Sequence, residues 1–194
     1  MVMSDIRRWT ADEVRSLTRE DQPWPRYELI GGELLVTPVP RMAHQVAAFE
    51  ICRLLDAYLK RNPAGVAVMS PADLELASGT TTQPDVFVIP AGVHASGATL
   101  QWSDVSSLLL AVEILSPSSE HTDRVIKRDF YLANQVSEYW VVDLDARVVE
   151  RWTGPGRAAE VLHGTLRWAP RESDALVIDL PEFFETVESK CLGW

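Results

Sequence analysis

A nearly continuous apolar run at residues 108–115, Leu-Leu-Leu-Ala-Val-Glu-Ile-Leu, is the feature that most constrains the fold of this chain. A run without polar alternation is typical of a β-strand that is buried on both faces. Only Glu113 interrupts it. A buried carboxylate is costly unless a metal ion, a cationic partner or protonation compensates it. The run therefore predicts a layered sheet protein with Glu113 as a candidate functional residue; the alternative is an edge strand with Glu113 facing water.

The segments around this run predict an α/β (α+β) fold with a central mixed sheet flanked by helices. Gly31-Gly32 separates two short apolar runs and predicts a tight hairpin. Thr10-Ala-Asp-Glu13 resembles a capping box that begins a short helix. Longer helices are predicted at residues 41–60 and 123–134, from apolar side chains at helical spacing. Strands are predicted at residues 27–30, 33–36, 66–69, 73–77, 85–89, 108–115, 138–143, 147–152, 160–163 and 176–180.

The length of 194 residues predicts a single domain spanning residues 1–194. Within it, residues 1–20 are expected to form an N-terminal helical extension and residues 155–194 a peripheral C-terminal strand region. No stretch approaches the roughly 20 apolar residues that cross a bilayer, so no membrane association is expected. The N-terminus lacks the apolar core of a secretory signal, and Cys52 and Cys191 form no CxxC pair. A cytoplasmic location is therefore expected.

The charge balance argues mildly against a nucleic-acid partner. The chain has 28 acidic and 18 basic side chains, which gives a net charge of -10. Nucleic-acid binders usually carry a basic surface, because much of their affinity comes from neutralising phosphates. A local basic groove remains compatible with this composition, and divalent cations would offset acidic residues at a site.

Asp85 is a second candidate for a buried carboxylate. It follows Gln83-Pro84 and opens the apolar run Val-Phe-Val-Ile. By itself the signal is weak, since Pro-Asp is also a common turn dipeptide. Two carboxylates on adjacent buried strands can hold Mg²⁺, which takes a few oxygen ligands and keeps several waters.

Polar side chains also interrupt the two long predicted helices. At 100° per residue, Asp123, Lys127, Tyr131 and Asn134 share one flank of the later helix, beside a predicted core stripe of Ile126, Phe130 and Ala133. A solvent-exposed Asp-to-Lys pair is the alternative for this flank. On the earlier helix, His44 and Glu50 fall on or beside the apolar stripe formed by Ala47, Ile51, Leu54, Leu55 and Tyr58. There the alternatives are a core histidine and an acid that reaches water.

An ordered set of motifs carries a family resemblance. These are Tyr-Glu-Leu-Ile-Gly-Gly-Glu at 27–33, His44 opening a helix, Pro84-Asp85-Val, Val-Glu-Ile-Leu-Ser-Pro-Ser-Ser at 112–119, Asp123-xxx-Lys127-xxx-Tyr131, and Glu-Tyr-Trp-Val-Val-Asp at 138–143. Over residues 10–155 the chain resembles a large bacterial family of restriction-endonuclease-like proteins in the PD-(D/E)xK superfamily. The resemblance implies a central sheet flanked by helices, with a metal bound between strands.

The resemblance also implies roles for individual residues. Asp85 matches the metal-binding aspartate of the superfamily, and Glu113 matches the acid that follows it. The usual lysine would stand two residues after Glu113, where this chain has Leu115; Lys127 on the following helix matches instead. His44 matches a histidine near the start of the first long helix.

The function predicted from these residues is a Mg²⁺- or Mn²⁺-dependent endonuclease that hydrolyses nucleic acid, DNA in particular, as a homodimer. Asp85, Glu113 and Lys127 are the predicted catalytic residues, with Asp85 and Glu113 holding the metal. Lys127 would orient or deprotonate water, or stabilise transition-state charge. His44, Glu50, Asp123 and Tyr131 are candidate supporting residues.

Two other functions remain open at the level of sequence. One is a catalytically inactive nuclease-fold module that binds protein or nucleic acid, which the net charge of -10 favours. The other is a glycosidase that uses Asp85 and Glu113 as its acid pair. Lys127 and the ordered motifs count against the glycosidase, whose chemistry requires neither.

Overall fold

The computed structural model describes residues 7–17, 24–92, 101–170 and 174–192. Residues 1–6 and 18–20 of the predicted N-terminal extension lie outside the described residues, as do 171–173 and 193–194 of the predicted C-terminal region. The elements in chain order are α1 (Ala11–Leu17), β1 (Arg26–Ile30), β2 (Glu33–Thr37), α2 (Met42–Leu59), β3 (Gly65–Met69), β4 (Val86–Pro90), a 3₁₀ turn (Trp102–Asp104), β5 (Leu110–Ile114), a π-helical segment (Thr122–Lys127) that continues into α3 (Arg128–Ala133), β6 (Tyr139–Asp143), β7 (Val148–Trp152), β8 (Glu160–Leu162), β9 (Thr165–Trp168), β10 (Leu176–Asp179) and α4 (Leu180–Leu192).

Six strands form the central mixed sheet, in the order β3-β4-β5-β6-β7-β8. All neighbouring pairs are antiparallel except β5 and β6, which are parallel. A parallel pair requires a crossover connection, and the π-helical segment and α3 supply it. Because this crossover starts just after β5, it brings the polar side chains of the helix back over the strand that carries Glu113.

Two apolar layers enclose the sheet. On one face, α2 and α4 pack against alternate side chains of the central strands, among them Val112 of β5 and Phe183 of α4. On the other face, α3 packs against the remaining side chains, including Phe87 of β4 and Ala111 of β5. Glu113 stands two residues after Ala111, so strand alternation places it on the α3 face. The strand predicted to be buried on both faces is confirmed: every residue of β5 is buried.

The local signals near the N-terminus are confirmed. The capping box precedes α1, where the Thr10 N–H donates to the Glu13 carboxylate at 2.9 Å and the Glu13 N–H donates to the Thr10 hydroxyl at 3.3 Å. Gly31 and Gly32 connect β1 to β2 with φ values of 57° and 81°. Both positive values favour glycine and match the tight hairpin turn.

The strand predicted at residues 73–77 is wrong. In this segment only Leu74 makes a strand-like pairing, an isolated bridge to Thr82. The alternation of apolar and polar side chains at 73–77 is real, since Leu74 is fully buried. An extended loop that buries alternate side chains gives the same sequence pattern as a strand.

The C-terminal region differs from the prediction of strands alone. Residues 176–180 correspond to β10, but β9 and the helix α4 were not predicted. The buried side chains of α4 include Phe183, Phe184 and Val187, which belong to the same apolar layer as α2. The region therefore contributes to the core as well as to the surface.

The predicted helix at 123–134 exists, but of its predicted core stripe only Phe130 packs against the core. Asp123, Lys127 and Tyr131 are the buried side chains, whereas Ile126 is only partly buried and Ala133 is exposed. The prediction assumed 100° per residue throughout. A π-helical segment pairs residue i with i+5 and so changes the angular phase of the side chains.

No helix in the described part of the chain is both long and apolar enough to span a membrane.

Candidate active site

Lys127 and Glu113 form a buried ion pair beneath the crossover helix. Glu113 is 3% exposed and Lys127 is 4% exposed, and Lys127 Nζ lies 3.0 Å from Glu113 Oε1. The Lys127 ammonium therefore reaches the Glu113 carboxylate, and its burial excludes the surface-pair alternative for Lys127. Lys127 Nζ also lies 2.8 Å from Glu28 Oε2, so one ammonium bridges β1 and β5.

Two further side chains of the crossover helix contact this pair. Asp123 lies one turn before Lys127, with its Oδ1 3.9 Å from Lys127 Nζ. Tyr131 lies one turn after Lys127, and its hydroxyl donates to Glu113 Oε1 at 3.1 Å. Asp123, Lys127 and Tyr131 therefore form one buried polar flank, and Glu113 Oε1 receives two hydrogen bonds from it.

Asp85, which directly precedes β4, lies opposite Glu113 of the neighbouring strand β5. Val86 of β4 pairs with Val112 of β5, so Asp85, one residue earlier, faces Glu113, one residue later. The Ile114 N–H donates to Asp85 Oδ2 at 2.9 Å, which fixes the Asp85 side chain against β5. Side chains of directly opposed residues have Cβ atoms about 5 Å apart, close enough for both carboxylates to bind one ion.

His44 approaches Asp85 from the first turn of α2. Its Nε2 lies 3.0 Å from Asp85 Oδ2, and the two side chains are 15% and 14% exposed. The His44 Nδ1 atom is buried and has no hydrogen-bond partner among the described residues. His44 is therefore held by its contact with Asp85, as a supporting residue would be.

Negative charge exceeds positive charge in this cluster, and the pKa values reflect the excess. Burial raises the pKa of Glu113 well above its ordinary value; Lys127 opposes this rise, and the charges of Asp85 and Asp123 add to it. Burial likewise raises the pKa of Asp123 to about 6, against opposing contributions from Lys127 and Ser119. Such pKa values indicate a site that would gain from a further cation.

The pKa values of Asp85 and Lys127 are both shifted in the direction that favours the charged form. Burial opposes ionisation of Asp85, but the hydrogen bond and charge of His44, the Ile114 N–H and the charge of Lys127 together outweigh it, and the pKa lies below its ordinary value. Burial also opposes the charge on Lys127, but Glu113 and Glu28 reverse the effect and hold its pKa well above the ordinary value. Lys127 is therefore a protonated ammonium at neutral pH.

A cleft of about 350 Å³ leads to Asp85 and His44. Its walls come from the segment before β1, from the start of α2 and from the loop after β5, and they include Trp24, Arg26, Arg41 and Ser116. Glu113 and Lys127 are not part of its lining. Asp85 is thus the carboxylate of the cluster that meets the cleft, and the ion pair lies behind it.

The donor set fits a hydrated Mg²⁺ or Mn²⁺ ion better than a closed structural site. Among the residues that the structure describes, no three His, Cys, Asp or Glu side chains are arranged to hold a metal ion. Mg²⁺ is commonly bound by one or two carboxylates and retains waters for its other positions. Asp85 Oδ1 and Glu113 Oε2 receive no hydrogen bond from the described residues, so each carboxylate keeps one oxygen for a ligand.

Glu50 does not join the other predicted site residues. It is 1% exposed, and its partners are Arg53 on α2 and Lys190 on α4. The expectation that it reaches water is wrong, and its contacts connect α2 to α4 instead. Glu50 is therefore part of a structural ion-pair cluster and is not a supporting residue of the site.

Sequence reasoning missed Glu28 and Arg26. Glu28 is 2% exposed, and its Oε1 accepts the Gln83 N–H at 2.8 Å while Oε2 meets Lys127. Its signal was an acid between Tyr27 and the apolar pair Leu29-Ile30, the same kind of interruption that marked Glu113. Arg26 gives no such signal, because an arginine at the start of a strand is commonly exposed.

The comparisons with known proteins agree with this architecture. A crystal structure from Anabaena variabilis ATCC 29413, described as "a putative nuclease belonging to DUF820", has a TM-score of 0.71 and 22% identity, and the match covers 92% of this chain and 98% of that chain. At this identity the likeness shows the fold alone. No curated protein matches the chain. Residues 11–182 match the model of the Uma2 family, described as "Putative restriction endonuclease". The chain belongs to the Uma2 family.

Proposed function

We propose that this protein is a metal-dependent endonuclease that hydrolyses phosphodiester bonds of nucleic acid, with DNA as its substrate. The observation that carries the proposal is the placement of Asp85 opposite Glu113, with Lys127 Nζ 3.0 Å from the Glu113 carboxylate. Membership of a family described as restriction endonucleases supports the nuclease class. The buried lysine argues against a glycosidase, which requires only the two acids.

Asp85 and Glu113 would hold the metal, Mg²⁺ or Mn²⁺, each with the carboxylate oxygen that accepts no hydrogen bond from the described residues. When bound, such an ion polarises the scissile phosphate and lowers the pKa of an attacking water.

The protein's own residues position this site. Lys127 and Tyr131 both donate to Glu113 Oε1, which fixes the orientation of the carboxylate. His44 and the Ile114 N–H do the same for Asp85 Oδ2. Because its pKa is raised, Lys127 donates hydrogen bonds and does not accept a proton. Of the roles predicted for Lys127, orientation and charge stabilisation are favoured over deprotonation of water.

The variant Glu113→Gln tests the proposal. It keeps the shape of the side chain but removes the charge that would hold Mg²⁺, so we expect loss of Mg²⁺-dependent cleavage of DNA. The variant should fold as well as wild type, because Lys127 still pairs with Glu28 and the site loses one of its excess buried negative charges. Wild type should gain thermal stability when Mg²⁺ is added, by mass action, and the variant should not.

Glu50→Gln is the matched control. Glu50 is also a buried, ion-paired glutamate, but its partners Arg53 and Lys190 lie outside the site. This variant should retain cleavage and the stabilisation by Mg²⁺ at any temperature at which it remains folded.

The second candidate function is a catalytically inactive binding module, which the net charge of -10 favours. It predicts no metal-dependent cleavage by wild type on DNA or RNA, and no metal-induced shift in melting temperature. That pair of results would reject the endonuclease and retain the fold. We also propose a homodimer, because enzymes that cleave both strands of a duplex often pair two sites by two-fold symmetry.

A further inference from the structure

Arg26 is a partly buried arginine whose side chain has no hydrogen bond or ion pair with the described residues. Its guanidinium carbon lies 4.2 Å from the centroid of the Trp24 ring, so the indole supports one face of the group. Stacking of this kind holds a guanidinium in place and leaves the N–H donors at its edge free. Arg26 is therefore oriented without being committed to a carboxylate.

Other buried or partly buried cations, unlike Arg26, are paired with carboxylates. Lys127 is paired with Glu28 and Glu113, and Arg124 is paired with Asp143 and Glu150. In a chain with a net charge of -10, carboxylates are abundant. An arginine that is partly removed from water and lacks a carboxylate within ion-pair distance is consistent with a position for an external anion.

Arg26 lies in the wall of the cleft that leads to Asp85 and His44. Arg41, the residue before α2, lines the same cleft; it is exposed, and its side chain makes no contact with a carboxylate among the described residues. Two guanidinium groups without an ion pair among the described residues thus line the cleft that Asp85 meets. A guanidinium presents paired donors that match the oxygens of a phosphate group.

We propose that Arg26 and Arg41 form a subsite that binds a phosphodiester group of the substrate next to Asp85, with Trp24 positioning Arg26. The inference rests on the proposed function and names residues that carry substrate affinity. It also gives an acidic protein a local contact for a polyanion, because two guanidinium groups without an ion pair among the described residues line the cleft.

Binding in the absence of cleavage tests this subsite. Fluorescence anisotropy of a short fluorescein-labelled oligodeoxythymidine is measured with full-length protein in EDTA, and again with Ca²⁺ in place of Mg²⁺, over a series of KCl concentrations. Arg26→Gln should weaken binding roughly 10- to 100-fold, since hydrogen bonds between charged groups are lost. The slope of log affinity against log salt concentration should become shallower by about 0.7, the value for one phosphate contact on a single strand.

Three variants separate this role from a structural one. Arg26→Lys keeps the charge and should keep the salt slope of wild type, although its affinity should fall because a lysine lacks the paired donors. Arg41→Gln changes an exposed side chain, so the fold should be unaffected. This variant should also make the salt slope shallower. Arg167→Gln on β9 is the matched control, because Arg167 is exposed and unpaired among the described residues but lies outside the cleft.

The subsite is overturned if wild type binds the oligonucleotide in neither condition, or if Arg26→Gln and Arg41→Gln keep the wild-type slope. It is also overturned if Arg167→Gln weakens binding as much as Arg26→Gln. Binding that depends on Arg26 without any cleavage in Mg²⁺ would reject the endonuclease and keep the subsite. Cleavage that is unaffected by Arg26→Gln would reject the subsite and keep the endonuclease.

Discussion

At the scale of the residue, the site is a cluster of four carboxylates around one ammonium. Glu28, Glu113 and Asp123 all lie within 4.0 Å of Lys127 Nζ, and Asp85 lies across the sheet from Glu113. Removing such charges from water is costly, and one lysine cannot neutralise four acids. The raised pKa values of Glu113 and Asp123 are the consequence, and they link the stability of the protein to pH.

Asp123 gives the clearest pH prediction, with the metal removed by EDTA. Its pKa rises from 3.8 in the unfolded chain to about 6 in the folded protein, chiefly because of burial. Between these values the unfolded state has released its proton and the folded state has not, so stability falls as pH rises from about 4 to about 6. At 1.36 kcal/mol per pKa unit the loss is about 3 kcal/mol. Asp123→Asn should lack this loss.

Urea unfolding of wild type and Asp123→Asn at a series of pH values measures the difference. Asp129→Asn is the control on the same helix, because the Asp129 side chain is 67% exposed. A stability difference between wild type and Asp123→Asn that stays constant from pH 4 to pH 6 would contradict the raised pKa.

The residues found from the sequence are those that break an apolar pattern. Glu113 and Asp85 interrupt or open apolar runs, and Lys127 follows at a spacing that the family resemblance marks. Glu28 and Arg26 reach the site because the β1–β2 hairpin packs against it, through contacts such as the pairing of Leu29 with Thr81. Such contacts between distant segments have no local signal, so a single sequence does not identify them.

At the scale of the element, prediction succeeded where local chemistry determines structure. The hairpin depends on Gly31-Gly32 and α1 on its capping box, and both formed as predicted. The crossover helix was placed correctly, but its buried face was not, because the π-helical segment changes the phase of the side chains.

The missed helix α4 had a recognisable start. Asp179 Oδ1 accepts the Glu182 N–H at 3.0 Å, and Pro181 stands in the first turn, where its missing N–H has no cost. Asp-Leu-Pro-Glu is therefore a helix start of an ordinary kind. The preceding alternation at residues 176–180 directed the prediction towards a strand that ends where the helix begins.

The packing of α4 into the core predicts a large effect for a truncation there. Phe184 is 2% exposed and lies in the apolar layer shared with α2. Phe184→Ala should therefore lower the free energy of unfolding by about 3–5 kcal/mol, from lost apolar burial and the remaining cavity. Glu185→Ala, at an exposed position of the same helix, should change it by less than about 0.5 kcal/mol. Urea unfolding measures both. Equal, small effects would show that α4 contributes little to the core.

At the scale of the whole molecule, the net negative charge and the two arginines of the cleft have opposite effects on a polyanion. The net charge of -10 repels nucleic acid at long range, and Arg26 and Arg41 attract it only near Asp85. One cleft of about 350 Å³ can contain a small part of a strand. Cleavage of both strands of a duplex then requires either two separate encounters or two sites in one assembly.

The proposed homodimer predicts that two sites in one assembly cut both strands. Light scattering should give twice the monomer mass over a range of protein concentrations. On supercoiled plasmid in Mg²⁺, wild type should produce linear DNA early, because two sites related by two-fold symmetry cut both strands in one encounter. Mixing wild type with an excess of Glu113→Gln should shift the early product from linear to nicked circles, since each mixed dimer has one competent site. Excess Glu50→Gln is the control and should leave the ratio unchanged. A monomer mass throughout, with nicked circles as the first product of wild type alone, would contradict the dimer and leave the single site intact.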